Sequence, residues 1–326
     1  MAEKILQIKD ITVEFKIKRG ILKAVDRASI DLYKGEILGI VGESGSGKST
    51  LASTILNIVT SPGVISSGEI LYNGRDMLKA ADEEIRQFRW EKVSMVFQAA
   101  QNSMNPVMKI KEHFLETAAA HKNFSEEEVM GKAGKLLEYV RLDPKQVLNS
   151  YPHQLSGGMK QRTIIAMSLL LDPDILILDE PTTALDVITQ AYIMDILKHI
   201  HNDIGITMIF LTHDVSIVGK VADRMAVMYA GNVVEIGSVE DIFYNGRHPY
   251  TNGLINAAPS LVDDITKRRA IPGSPPDLVN PPAGCRFGPR CALRTNGQCP
   301  GGKQGELKEI SPGHYTTCSE SERRGA

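Results

Sequence analysis

The sequence predicts an α/β fold, a mostly parallel sheet flanked by helices, followed by a small proline-rich C-terminal unit. Three observations carry that reading. Short apolar runs of strand length, EILGIVG and DILILDE, suit strands buried on both faces. They alternate with stretches whose apolar residues keep helical spacing, and strands alternating with helices imply parallel pairing. Beyond residue 245 the pattern stops: ten of the sixteen prolines lie there and no segment keeps a sustained period. A boundary is therefore expected near Asn245, separating 1–245 from 246–326.

The elements follow in order. Residues 11–41 read as strands, with ASIDLY alternating around Ile30 and Leu32 before the continuous run EILGIVG. Val129, Ala133, Leu136, Leu137 and Val140 keep helical spacing, and Ser125 with Glu128 has the form of a capping box at the start of that helix. After DILILDE, the residues Ile188, Tyr192, Ile196 and Ile200 are expected to form one apolar helix face. TMIFLTHD is a further strand, and RMAVMYAGNVVEIGS reads as a hairpin turning at Ala230–Asn232.

Composition narrows the partners. A chain of 326 residues with 42% hydrophobic and 23% charged residues can bury a large core. Its 37 basic against 39 acidic residues leave no excess charge to hold nucleic acid, so no nucleic-acid partner is expected. The opening MAEKILQIKD lacks a signal-like apolar core and no run is long enough to span a bilayer, which places the expected location in the cytoplasm. Thiols stay reduced there, so four cysteines clustered near the end point to metal ligation rather than disulfides.

GESGSGKS, Gly42 to Ser49, fits G-x-x-x-x-G-K-[ST] and lies between the strand EILGIVG and the apolar helix TLASTILNIV. Glycines let backbone N–H groups turn toward phosphates, a lysine reaches the terminal phosphates and the Ser hydroxyl ligates Mg²⁺. The candidate nucleotide-binding set is Gly42, Ser44, Gly45, Gly47, Lys48, Ser49 and Thr50. Downstream, a strand ends in Asp179 and Glu180. One carboxylate to orient Mg²⁺ and a second to polarise an attacking water is the division that phosphoryl transfer to water requires.

LSGGMKQR, Leu155 to Arg162, resembles the signature sequence of the ATP-binding cassette (ABC) ATPases, and lies between the phosphate loop and the acidic pair as it does in that family. The resemblance covers about residues 5–245. It implies a P-loop ATPase with an antiparallel β part and a helical subdomain at about 99–168, using ATP and Mg²⁺. Ser156, Gly157 and Gly158 would face the ATP of the other subunit in a head-to-tail dimer. Gln98 matches the glutamine that reaches Mg²⁺ and the water, joining Ser49 and Asp179 around the metal. Glu180 and His213 match the catalytic base and the switch histidine, and Asp186 the loop that crosses the dimer interface. Phe15 is the candidate to stack on adenine, with packing inside its strand the alternative. Met159 replaces the usual signature glutamine, and AAQNSMNP after Gln98 departs from the Asp-Pro start usual in relatives.

HPYTNGL, IPGSPPDL and PPAGCRFGPRC together resemble the C-terminal extension of the ATPase subunits of oligopeptide and dipeptide importers, some of which serve nickel. That resemblance implies a homodimer or a heterodimer with a paralogous ATPase subunit. It further implies two integral membrane permease subunits, an external peptide-binding protein, and a peripheral position on the cytoplasmic membrane face. The cysteines, Cys285, Cys291, Cys299 and Cys318, run C-x5-C-x7-C-x18-C. Four thiolates suit zinc or an iron–sulfur cluster, or stay unligated. The resemblance favours a [4Fe-4S] cluster, with Zn²⁺ as the alternative. The rival functional readings are a soluble ABC ATPase and a redox-sensing nucleotide-binding module not coupled to transport.

Overall fold

The computed structural model describes residues 3–122, 124–183, 185–257, 270–299 and 305–319. Its elements are β1 (Lys4–Ile17), β2 (Gly20–Tyr33), β3 (Ile37–Val41), α1 (Lys48–Ile55), β4 (Gly63–Tyr72), β5 (Arg75–Asp76), α2 (Asp82–Glu91) and β6 (Val93–Val96). There follow α3 (Ile110–Ala119), α4 (Glu126–Tyr139), α5 (Pro144–Asn149), α6 (Gly157–Ser168), β7 (Ile175–Asp179), α7 (Val187–Ile204), β8 (Thr207–Thr212) and α8 (Val215–Val221). The last are β9 (Arg224–Tyr229), β10 (Asn232–Ser238), α9 (Val239–Tyr244), α10 (Pro249–Ala257), α11 (Ala292–Thr295), β11 (Lys308–Ser311) and β12 (His314–Thr316). The chain forms two compact units, one of Met1–Lys79 with Phe210–Ala326, the other of Ala80–Ile209.

The first unit holds two sheets. In one the order is β2-β1-β4-β5, all antiparallel, built on the long β1–β2 hairpin. In the other the strands of this unit run β11-β12-β10-β9-β3, with β3 and β9 parallel and the rest antiparallel. Every residue of β3 is buried, as an apolar run without alternation requires. The hairpin predicted at Ala230–Asn232 is present. Ala230 and Gly231 both take positive φ, 49° and 86°, the geometry whose twist matches a two-residue hairpin.

The second unit pairs β6 with β7 in parallel; α2 and α6 pack on β6, and α3, α4 and α5 pack on one another, with α4 also against α6. The capping box expected at Ser125 is formed: its Oγ accepts from the Glu128 N–H, and the Glu128 carboxylate accepts from the Ser125 N–H. The face of α7 differs from expectation. Its buried side is Ile193, Ile196, Leu197 and Ile200, whereas Ile188 is 84% exposed. A period drawn through i, i+4, i+8, i+12 drifts by about 40° per step around a 3.6-residue helix, so its first member leaves the core face.

The region beyond residue 245 carries more regular structure than its prolines suggest. Here α10 opens with Pro249 at a helix start, where the missing N–H costs nothing, and β12 pairs with β10 through Glu235↔Thr316 and Ile236↔Tyr315. Strands of three or four residues are too short to show a period, yet they are held once an existing sheet edge receives them. Among the described residues no helix is long and apolar enough to cross a membrane.

Candidate functional site

The loop of residues 42–47, expected to bind phosphate, leaves buried β3 and enters α1, so the helix N-terminus opens at Lys48. Gly47 precedes it at φ 101°, and a Cβ there would lie 2.4 Å from the Ala24 carbonyl oxygen, so both its backbone angle and its space demand glycine. Lys48 is only 5% exposed. Its Nζ donates to the carbonyl oxygens of Gly42 at 2.7 Å and Glu43 at 3.2 Å and to Ser46 Oγ at 3.3 Å, curling the loop around the ammonium. Ser44, Gly45 and Ser49 are exposed and Thr50 half-buried. Phe15, half-buried on β1, sits opposite Gly63, where a Cβ would come within 2.7 Å of its ring. His213 is exposed immediately after β8, and the next residue, Asp214, caps α8 through the Ser216 and Ile217 N–H groups.

In the second unit, Asp179 is the buried last residue of β7 and Glu180 follows at φ 46°, a left-handed conformation that a non-glycine residue adopts only under local constraint. The Glu180 carboxylate accepts from Gln98 Nε2 at 3.2 Å and from Thr183 Oγ1 at 2.8 Å. Gln98 and Glu180, expected to work together, are thus in contact, and Thr183 is a partner that the sequence reading omitted.

Ser156 is the N-cap of α6, its Oγ accepting from the Met159 N–H. Gly158 packs so closely on α7 that a Cβ would meet Thr189 Cγ2 at 2.8 Å. Asp186 caps α7, accepting from Thr189 N–H and Oγ1 at 2.9 and 2.7 Å; these bonds hold its carboxyl below the usual carboxylate range. Ser156, Gly157, Gly158 and Asp186 line one groove of about 460 Å³ together with Arg162 and Tyr192. Arg162 and Arg141 both lie over the Tyr192 ring, 5.2 and 5.1 Å from its centroid.

The four cysteines line a single small cavity of about 40 Å³ together with His248 and Phe287. None is in a disulfide, and Cys291 is buried. Burial pushes the Cys285 thiol up, and the neighbouring Cys291 and Cys299 add to the rise. His248, fully buried, is pushed down to about 4 by desolvation, and its Nδ1 accepts from the Tyr250 N–H. The expected cluster, or zinc, finds no finished site: among the described residues no group of three or more His, Cys, Asp or Glu could hold a metal ion as it stands. The donor set is gathered, but it is not closed to ligation.

Residues 25–183 match the family described as ABC transporter, and residues 234–299 match that described as oligopeptide/dipeptide transporter, C-terminal region. Over 288 residues the chain is 49% identical to the dipeptide transport ATP-binding protein DppD of Caldanaerobacter subterraneus subsp. tengcongensis, covering 88% of each. The chain belongs to the ATP-binding proteins of the ABC transporter family. As an ABC cassette it is the ATPase of a transporter. It is also 44% identical over 296 residues to the oligopeptide transport ATP-binding protein OppD of Bacillus subtilis, covering 90% of this chain and 82% of that one. Its fold matches a dimeric bacterial ABC transporter cassette with a TM-score of 0.64 at 29% identity, over 72% of this chain and 98% of the other.

Proposed function

We propose that this chain powers the import of dipeptides or oligopeptides, working as a peripheral subunit on the cytoplasmic side of two permease subunits fed by an external peptide-binding protein. The observation that carries this is the pairing of a cassette match at 25–183 with a peptide-transporter match at 234–299 in one chain. The cassette is read as 1–245 and the extension as 246–326.

Two cassettes, this chain with itself or with a paralogue, close head to tail over ATP. Lys48 and the loop from Gly42 to Thr50 hold the triphosphate, and Phe15 stacks on the base. Ser156, Gly157 and Gly158 of the opposite cassette cover it, with Asp186 at the joint; the exposed start of α6 supports that role, because unpaired N–H groups at a helix N-terminus attract phosphate. Ser49, Gln98 and Asp179 are the residues to hold Mg²⁺, which neutralises charge on the phosphates. Glu180, aimed by Gln98 and Thr183, takes the proton of the attacking water, and His213 contacts the terminal phosphate. Hydrolysis reopens the pair, and this cycle drives the permease.

The cysteine cavity supports a further reading. Cys285, Cys291, Cys299 and Cys318 are the proposed ligands of a [4Fe-4S] cluster, zinc being the other metal suited to four thiolates.

The test of the ATPase assignment is Glu180→Gln. It is expected to bind ATP normally while hydrolysis falls about 10²–10⁴-fold. Hydrolysis at the normal rate would remove Glu180 from its role.

A further inference from the structure

The second residue of the phosphate loop, Glu43, is gripped from outside the loop. Its N–H donates to Tyr250 Oη at 2.9 Å, and its carboxylate receives Arg290 Nη1 at 2.7 Å and Nη2 at 3.0 Å. From inside the loop, its carbonyl accepts from the Ser46 N–H at 3.1 Å and from Lys48 Nζ at 3.2 Å. A bidentate arginine–carboxylate pair fixes a plane as well as a distance. Glu43 is therefore the point where the loop meets the C-terminal region.

The two gripping groups are themselves buried and held by further contacts. Arg290, with its side chain 5% exposed, also donates from Nε to the Pro272 carbonyl at 2.7 Å and from Nη1 to Tyr229 Oη at 3.3 Å. Its guanidinium lies 5.7 and 5.9 Å from the ring centroids of Tyr229 and Phe287. Tyr250 is fully buried, its ring 4.5 Å from that of Tyr229. A second arginine of the same segment, Arg286, binds the Ala230 carbonyl and Asp26, holding the β9–β10 turn whose Gly231 N–H donates to the Ser46 carbonyl at 2.9 Å. Both arginines lie between Cys285 and Cys291.

We propose that Arg290 and Tyr250 are positioning residues of the ATP site, through which the C-terminal cysteine segment sets the shape and charge of the phosphate loop by way of Glu43. The proposal rests on the reading of Gly42 to Thr50 as the phosphate loop. Two effects act in the same direction. The grip holds the Glu43 carbonyl where Lys48 meets it, and small displacements of such groups are costly to binding. The guanidinium also neutralises a carboxylate inside a loop that receives a polyanion; left unpaired, that charge would repel the triphosphate.

The experiment measures ATP affinity with a fluorescent ATP analogue, together with kcat and KM for ATP, in the full chain carrying Arg290→Gln, Glu43→Gln, both changes, Tyr250→Phe or Lys48→Ala. Arg290→Gln is expected to weaken ATP binding about tenfold and to raise KM similarly, with kcat at saturating ATP within about twofold. Glu43→Gln alone is expected to be milder, and the double variant to regain most of the affinity, because the unpaired charge is gone. That recovery is what a purely structural arginine would not produce. Unchanged affinity in Arg290→Gln, or a double variant as weak as Arg290→Gln, overturns the proposal. If Arg290→Gln does not fold, Tyr250→Phe decides, with about threefold weaker binding expected and no change refuting. Lys48→Ala separates the two readings: its loss of ATP binding upholds the phosphate loop whatever Arg290 does, and its normal binding removes the loop and the proposal together.

Discussion

Glu235 offers the sharpest test of how the C-terminal region is held. It lies on β10 with no solvent exposure, and its carboxylate accepts from the Arg247 N–H at 2.6 Å, the His248 N–H at 2.9 Å and His314 Nε2 at 2.8 Å. With Glu235 as a carboxylate, which only accepts, the His314 bond takes the Nε2–H tautomer. One side chain thus joins three separate stretches: β10, the turn into α10, and β12. In Glu235→Ala the His248 and His314 donors stay buried without partners, at about 1–3 kcal/mol each, while the half-buried Arg247 N–H can turn to water. The expected loss is about 3–5 kcal/mol. For a unit of about two hundred residues that lowers Tm by roughly 6–20 °C. Glu235→Gln keeps a carbonyl for one side and opposes an NH₂ to a donor on the other, so its loss is smaller, about 1–3 kcal/mol. Thermal unfolding followed by circular dichroism reads both. A Tm within about 2 °C of wild type for the alanine variant, or glutamine worse than alanine, would refute the hub.

Two other outcomes follow from the same region. His248 is held down to about 4 by burial against an ordinary 6.5, so the unfolded chain takes up its proton first as pH falls. Stability is therefore full above about pH 6.5 and declines toward pH 4 by about 3 kcal/mol; His248→Phe is expected to flatten that slope in denaturant titrations, and an unaltered slope would exclude His248 as its source. Anaerobic purification with iron, sulfide and zinc quantified together tests the cysteine site: about four irons per chain are expected, and no bound metal of either kind would remove the ligand assignment.

Much of the core was legible because its signals are local. A strand buried on both faces is written as an unbroken apolar run, which is why β3, β7 and β8 stand where EILGIVG, DILILDE and TMIFLTHD place them. The cap at Ser125 needs only a residue and its neighbour three positions on. The contact of Gln98 with Glu180 was reachable only through the family resemblance, since the two are 82 positions apart and each residue type is commonplace alone. Thr183 carries no pattern of its own; it was within reach only as a hydroxyl one turn after the acidic pair.

The partners of Glu43 and Glu235 illustrate what local pattern cannot carry. Arg290 meets a residue 247 positions away, and His314 one 79 positions away. In the sequence these residues read as ordinary charge in a proline-rich stretch, because the physical reason for them is a carboxylate withdrawn from water, wholly at Glu235 and in part at Glu43, and supplied by a distant strand or loop. A buried charge is costly unless paired and hydrogen-bonded, so each such carboxylate demands a partner from whatever segment is folded over it. The C-terminal region satisfies both demands, at Glu235 through His314 and the backbone of Arg247 and His248, and at Glu43 through Arg290. Where the region is described, its prolines and short elements are tied down through polar groups supplied by β10 and by the loop after β3, not through a periodic core of their own.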